Sequence, residues 1–127
     1  MFDAYRPYSV TVKIWELKLA PRKYTAPPWL GSCHNRGVAV DVSLIHLETG
    51  EELEMPTPFD DFSERASHNY DDLPDKATEN REILRSTMKR HGFSPLGEEW
   101  WHYCLRGWET YDILDIPIEK LHSDPTP

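Results

Sequence analysis

Hydrophobic residues recur along residues 8–20, YSVTVKIWELKLA, with two competing periods. Val10, Val12 and Ile14 alternate as on a strand, Val10, Ile14 and Leu17 follow a helical face, and a window this short satisfies both. Pro7 suits a first helical turn, and the run from Trp15 to Ala20 is rich in helix formers, so a helix is expected. The next stretch, PRKYTAPPWLGS, carries three prolines and a glycine and reads as an irregular connection leading to His34. From Val38 the alternation Val38, Val40, Val42, Leu44 against Ala39, Asp41, Ser43 predicts a β-hairpin with its turn at Glu48-Thr49-Gly50. Strand parity sends Val40 and Val42 to the core and Asp41 to the other face, beside Ala39 and Ser43, where a cleft has room.

Residues 56–75 are acidic, contain prolines and show no period, which predicts a long surface loop. Thr78 is a candidate N-cap for a helix through ENREILRSTMKRHG, with Ile83, Leu84, Thr87 and Met88 on one face and Gly92 at C′. EWWHYCL then reads as an aromatic strand and YDILDIPI as a shorter one ending at Pro117. The pattern as a whole predicts an α+β domain over residues 1–121, a small antiparallel sheet with packed helices, and a frayed tail over 122–127.

Composition narrows the function. At 127 residues the chain holds one modest core, and 39% hydrophobic content with five tryptophans is globular despite eleven prolines. A net charge of −8 disfavours nucleic acid as a partner, because no basic stripe is present to displace counterions. No apolar run approaches the roughly 18 residues of a membrane span, and the first ten residues lack the apolar core of a secretory signal, so a soluble protein without a membrane partner is expected. The opening on Tyr5-Arg6-Pro7 reads as the interior of a structural unit with a longer parent. Cys33 and Cys104 make neither a disulfide framework nor a C-x-x-C knuckle, and are read as small buried side chains.

The candidate chemistry is metal-based. A catalytic zinc site takes three nitrogen, sulfur or carboxylate ligands and leaves one position open. His34, before the predicted hairpin, Asp41 on its first strand and His102 on the aromatic strand offer two imidazoles and a carboxylate. Glu99 lies three residues before His102, so an unbroken strand would point the two apart; the PLGEE stretch frees Glu99 at the strand entrance. There it can take a proton from a water whose pKa zinc lowers to roughly 7. Read singly, each residue also has a plainer role: Asp41 a solvated strand residue, Glu99 a surface charge, Trp100 and Trp101 core or wall aromatics, His46, His91 and His122 surface groups. Cys33 beside His34 suggests a thiolate ligand or a Cys/His nucleophile, but the sequence supplies no third orienting group.

The segments DAYRP (3–7), SCHNRGVAVDVSL (32–44), FDDFSERASH (59–68), NREILRSTMKRHGF (80–93) and EWWHY (99–103) together resemble the zinc-dependent D-alanyl-D-alanine dipeptidases of the vancomycin-resistance type. These belong with other D,D-peptidases that share a fold with hedgehog domains. The resemblance implies one Zn2+ per chain on His34, Asp41 and His102, Glu99 as general base, Arg6 as oxyanion stabiliser, Asp60 at the substrate ammonium and Ser32 near its carboxylate. It implies a small D,D-dipeptide as substrate, in the bacterial cytoplasm in preference to the periplasm. Family members carry a substantial portion before the Y-R-P motif, which is absent here, and the connection from Arg6 to Ser32 is short. The alternatives are a peptidoglycan D,D-carboxypeptidase or endopeptidase acting on longer peptides, and a truncated zinc-binding domain without catalysis.

Overall fold

The computed structural model describes residues 1–17, 31–96 and 98–121. Helix α1 spans Tyr8–Glu16 and α2 spans Asp75–Arg90. Strands β1 (Ala39–Asp41), β2 (Phe93–Pro95) and β3 (His102–Leu105) form an antiparallel sheet in the order β1-β3-β2. Short 3-10 turns lie at Glu64–Ala66, Trp108–Thr110 and Ile118–Lys120. This is the expected α+β arrangement, and no described helix is long and apolar enough to cross a membrane. Residues 21–30 of the proline-rich connection and the C-terminal tail, 122–127, fall outside the described residues.

The first segment settles as a helix over Tyr8–Glu16, with Pro7 as the cap residue before it, and residues 18–20 of the expected helix lie outside the described residues. Helix α2 begins earlier than Thr78, because extended Pro74 ends the loop and Asp75 places a carboxylate in the first turn, where the helix dipole favours it. Its buried stripe is Ala77, Asn80, Arg81 and Leu84, with Met88 against the core. These follow i, i+3, i+4 and i+7 spacing, which turns Ile83 outward to 52% exposure, contrary to its expected place on the inner face. Gly92, at φ 89°, takes the left-handed conformation that follows the helix, as expected.

Three further expectations are corrected. The long hairpin from Val38 shrinks to a tip, with one bridge at Ile45 and Glu52, because Ala39–Asp41 pairs instead with β3. Val40 and Val42 do face the core. YDILDIPI forms no strand: its backbone bonds scatter, Leu114 N donating to Asn35 O, Tyr8 N to Leu114 O, and Tyr5 Oη joining both polar groups of Ile116. Among the described residues no single partner runs beside it to build a ladder. Residues 56–75 are only partly a surface loop, since Pro56, Thr57, Ala66 and His68 are buried. Arg81 binds this segment to α2 by donating to Ser67 O and Tyr70 O at 3.2 and 2.6 Å, and Arg85 donates to His68 O.

The aromatic run is a turn followed by a strand. Trp100 and Trp101, fully buried, anchor the main core with Met55, Ala66, Leu84 and Tyr103. The smaller cluster, Cys33, Val38, Ala39 and Cys104, lies apart from it. Cys33 and Cys104 are buried as expected, but they are joined in a disulfide whose Cα atoms are 6.3 Å apart. Their separation of 71 residues hid the pairing, because distance in sequence says nothing about two segments that the sheet brings together.

Candidate metal centre

Sheet register builds the first half of the site. Asp41 on β1 stands directly opposite His102 on β3, so both side chains leave the same face. The N-terminal segment fixes Asp41 from its other side: Asp41 N donates to Asp3 O at 2.9 Å and Phe2 N donates to Asp41 O at 2.7 Å. His34 comes from a tight turn in which Ser32 Oγ accepts from His34 N at 3.0 Å and Gly37, at φ 71°, lets the chain reverse into β1.

His34, Asp41 and His102 offer ligand atoms within 4.8 Å of one another. His34 Nε2 and His102 Nδ1 lie 3.3 and 3.0 Å from Asp41 Oδ1. His34 Nδ1 donates to Ala4 O at 2.6 Å, which turns Nε2 towards the site, where it donates to Asp41 when protonated and offers a lone pair to an ion when neutral. The donors are two imidazole nitrogens and a carboxylate oxygen, a set suited to zinc. Burial raises the Asp41 pKa, but hydrogen bonds from His102 and His34 overcome it and hold the carboxyl at about 2. Burial works against a charged His34, yet its contacts with Asp41 leave its pKa raised. In the metal-free chain a protonated His34 thus gives the Asp41 carboxylate a positive neighbour.

The other expected residues surround this set. Glu99 precedes β3 in a turn in which His102 N donates to Glu99 O at 3.0 Å, so strand parity does not separate the two side chains. Burial, then the charges of Asp41 and Asp60, push the Glu99 pKa up to about 7. Arg6 is fixed by its backbone, Arg6 N donating to His34 O at 3.0 Å, and its guanidinium lies 3.9 Å from Asp3. Among the described residues its buried Nε has no hydrogen-bond partner. Asp60 adopts φ 62°, a conformation costly for a residue with a Cβ, and its pKa is raised by burial and then by Asp41 and Asp3. Ser32 caps the His34 turn through its oxygen, so its hydroxyl proton stays free to donate.

Two supporting residues escaped the sequence reading. Asn35, fully buried, donates through Nδ2 to Arg6 O and Thr11 Oγ1 and accepts from Ser32 N, at 2.8, 2.9 and 3.0 Å. It joins the segments of Arg6 and Ser32, and nothing in a lone asparagine announces that. His68, 6% exposed, sits edge-on to Tyr103, and burial followed by the Arg85 charge holds its pKa down at about 4. Its folded value lies below the ordinary 6.5, so its contribution to stability is full above pH 6.5 and is lost as pH falls towards 4. Glu99 titrates with the opposite sign across much of this window. We therefore predict that a metal-free Glu99→Gln variant loses melting temperature as pH falls from 6.5 to 4, and that adding His68→Gln flattens the slope; an equal slope in both removes His68 as its cause.

A family profile described as D-ala-D-ala dipeptidase matches residues 1–115. The D-alanyl-D-alanine dipeptidase of Escherichia coli is 34% identical over 114 residues, covering 90% of this chain and 58% of that protein. The D-alanyl-D-alanine dipeptidase of Enterococcus faecium is 40% identical over 90 residues, 69% of this chain and 44% of that protein. That of Streptomyces coelicolor is 41% identical over 88 residues, 68% of this chain and 44% of that protein. The chain spans about half the length of these relatives. With a match running from Met1 to Asp115, through all three clustered donors, the chain belongs to the D-ala-D-ala dipeptidase family.

Proposed function

We propose that the chain binds one zinc ion through His34, Asp41 and His102 and hydrolyses the peptide bond of D-Ala-D-Ala. The observation that carries this reading is the convergence of those three donors beside a glutamate whose pKa is about 7. A zinc ion held there supplies Lewis acidity to the substrate carbonyl and makes water acidic near pH 7. Glu99, poised near neutrality, takes the proton from the attacking water and returns it to the leaving amine. Arg6, with an unsatisfied buried N–H, stabilises the negative charge that develops on the carbonyl oxygen.

Asp60 and Ser32 select the substrate by its ends. A free dipeptide carries an ammonium at one end and a carboxylate at the other; Asp60 meets the first and the Ser32 hydroxyl the second. The separation of these two groups then acts as a limit on length, which favours a dipeptide over a longer peptidoglycan stem.

The test compares free D-Ala-D-Ala with its N-acetyl derivative. The expected result is hydrolysis of the free dipeptide alone, with Asp60→Asn raising KM for it by roughly 10–100-fold, the loss of one charge-assisted contact. Preferential cleavage of the blocked peptide favours a carboxypeptidase acting on longer chains. Zinc-replete protein that cleaves neither favours a non-catalytic zinc domain.

A further inference from the structure

A second trio of donor atoms meets on the far side of the His102 ring. Cys33 Sγ and Cys104 Sγ lie 4.0 and 3.5 Å from His102 Nε2, while Nδ1 of the same ring faces Asp41 at 3.0 Å. His102 therefore stands between an oxygen and nitrogen set and a pair of sulfurs. Both sulfurs are held by the elements that carry the metal donors: Cys33 directly precedes His34, and Cys104 follows His102 by two residues on β3. They are 5% and 1% exposed, and the chain has no other cysteine to compete for either.

We propose that, in a chain folded with its thiols reduced, Cys33, Cys104 and His102 Nε2 form a second position for a thiophilic divalent ion. Zinc takes thiolate sulfur at about 2.3 Å and imidazole nitrogen at about 2.0–2.1 Å, so a tetrahedral ion sets sulfur and nitrogen about 3.6 Å apart. The two separations in the structure bracket that value. One neutral imidazole donates through one nitrogen at a time, so this position and the His34–Asp41–His102 position compete for His102. The disulfide settles the competition: with both sulfurs bonded to each other, His102 serves the oxygen and nitrogen set alone.

The exchange balances with an external dithiol as reductant. The Cys33–Cys104 bond breaks, each sulfur takes a proton from the dithiol, and the dithiol leaves as its own cyclic disulfide; two electrons pass in all. On binding the ion, each thiol releases its proton to the buffer. The structure thus assigns the cysteine pair control over where the metal sits, in addition to bracing the two ligand-bearing segments.

Co2+ is the probe, because a thiolate ligand gives it an intense near-ultraviolet charge-transfer band that nitrogen and oxygen ligands do not. Protein folded in dithiothreitol, desalted without air and shown to carry two free thiols is titrated with one equivalent of Co2+, in parallel with the oxidised protein. The expected result is the thiolate band in the reduced protein alone, and its loss in the Cys33→Ser/Cys104→Ser variant. A reduced protein whose spectrum matches the oxidised one overturns the proposal, whether or not the serine variant folds. This outcome is separate from the dipeptidase reading, which is tested by Co2+ bound and active in the oxidised chain.

Discussion

Glu99→Gln is expected to lower kcat on D-Ala-D-Ala by about 10²–10⁴-fold, the usual contribution of a positioned general base, while zinc still binds at one per chain. The amide keeps the size of the side chain but can neither accept a proton nor carry a charge. The same substitution has a second readout. The folded pKa of Glu99, about 7, lies above its ordinary 4.5, so its contribution to stability is present below pH 4.5 and lost as pH rises through 7. At pH 8 the metal-free chain holds a buried carboxylate near Asp41 and Asp60, and the amide relieves a cost on the order of a few kcal/mol. The metal-free variant should therefore melt higher than the parent at pH 8 and alongside it at pH 4. A variant that is inactive but no more stable at pH 8 leaves the base in place and removes the buried charge; one that retains activity removes the base.

His34→Ala is expected to weaken zinc binding by more than the roughly 10–100-fold that follows loss of an outer partner, since it deletes a ligand and leaves Ala4 O without its donor. Bound zinc stabilises the parent by about 2.7 kcal/mol when present at 100 times its dissociation constant, and the variant should lose most of that rise in melting temperature. Calorimetric titration at fixed pH reads the affinity directly, with the disulfide kept closed. An unchanged zinc isotherm in His34→Ala takes His34 out of the site. His102→Ala differs in one respect: it removes the nitrogen facing Asp41 and also the one facing the sulfurs, so it should abolish both metal positions together.

The parts of the site readable from sequence were those whose chemistry is local. His34, Asp41, His102 and Glu99 each belong to a short motif, and the sheet register brings Asp41 and His102 face to face as a strand pairing would require. Glu99 escaped strand parity because the chain turns at Trp100 and Trp101, and burial of both indoles holds that turn in place. What stayed hidden was long-range partnership. β1 chose β3 over the hairpin that its own alternation suggested, and the Ile113 region found isolated partners in place of a ladder. The cysteines show the same limit: each lies within two residues of a metal donor, the one signal of their pairing, but only the fold sets their sulfurs against the same imidazole.

Helix α2 makes the point about faces. Its period was legible, yet Arg81 and Asn80 lie inside and Ile83 outside, because the arginine and asparagine heads find backbone carbonyls of Ser67, Tyr70 and Glu54. Side-chain hydrogen bonds to specific carbonyls offset the cost of burying those polar groups, and no hydropathy pattern records them.

The central claim, that two imidazoles and one aspartate share a zinc ion, is tested most directly by X-ray absorption at the zinc edge on the oxidised protein loaded with one equivalent. The account predicts a shell of nitrogen and oxygen at about 2.0–2.2 Å and no sulfur, with two imidazole contributions that fall to one in His34→Ala. A zinc-free protein after loading, or a first shell containing sulfur while the disulfide is intact, would contradict it.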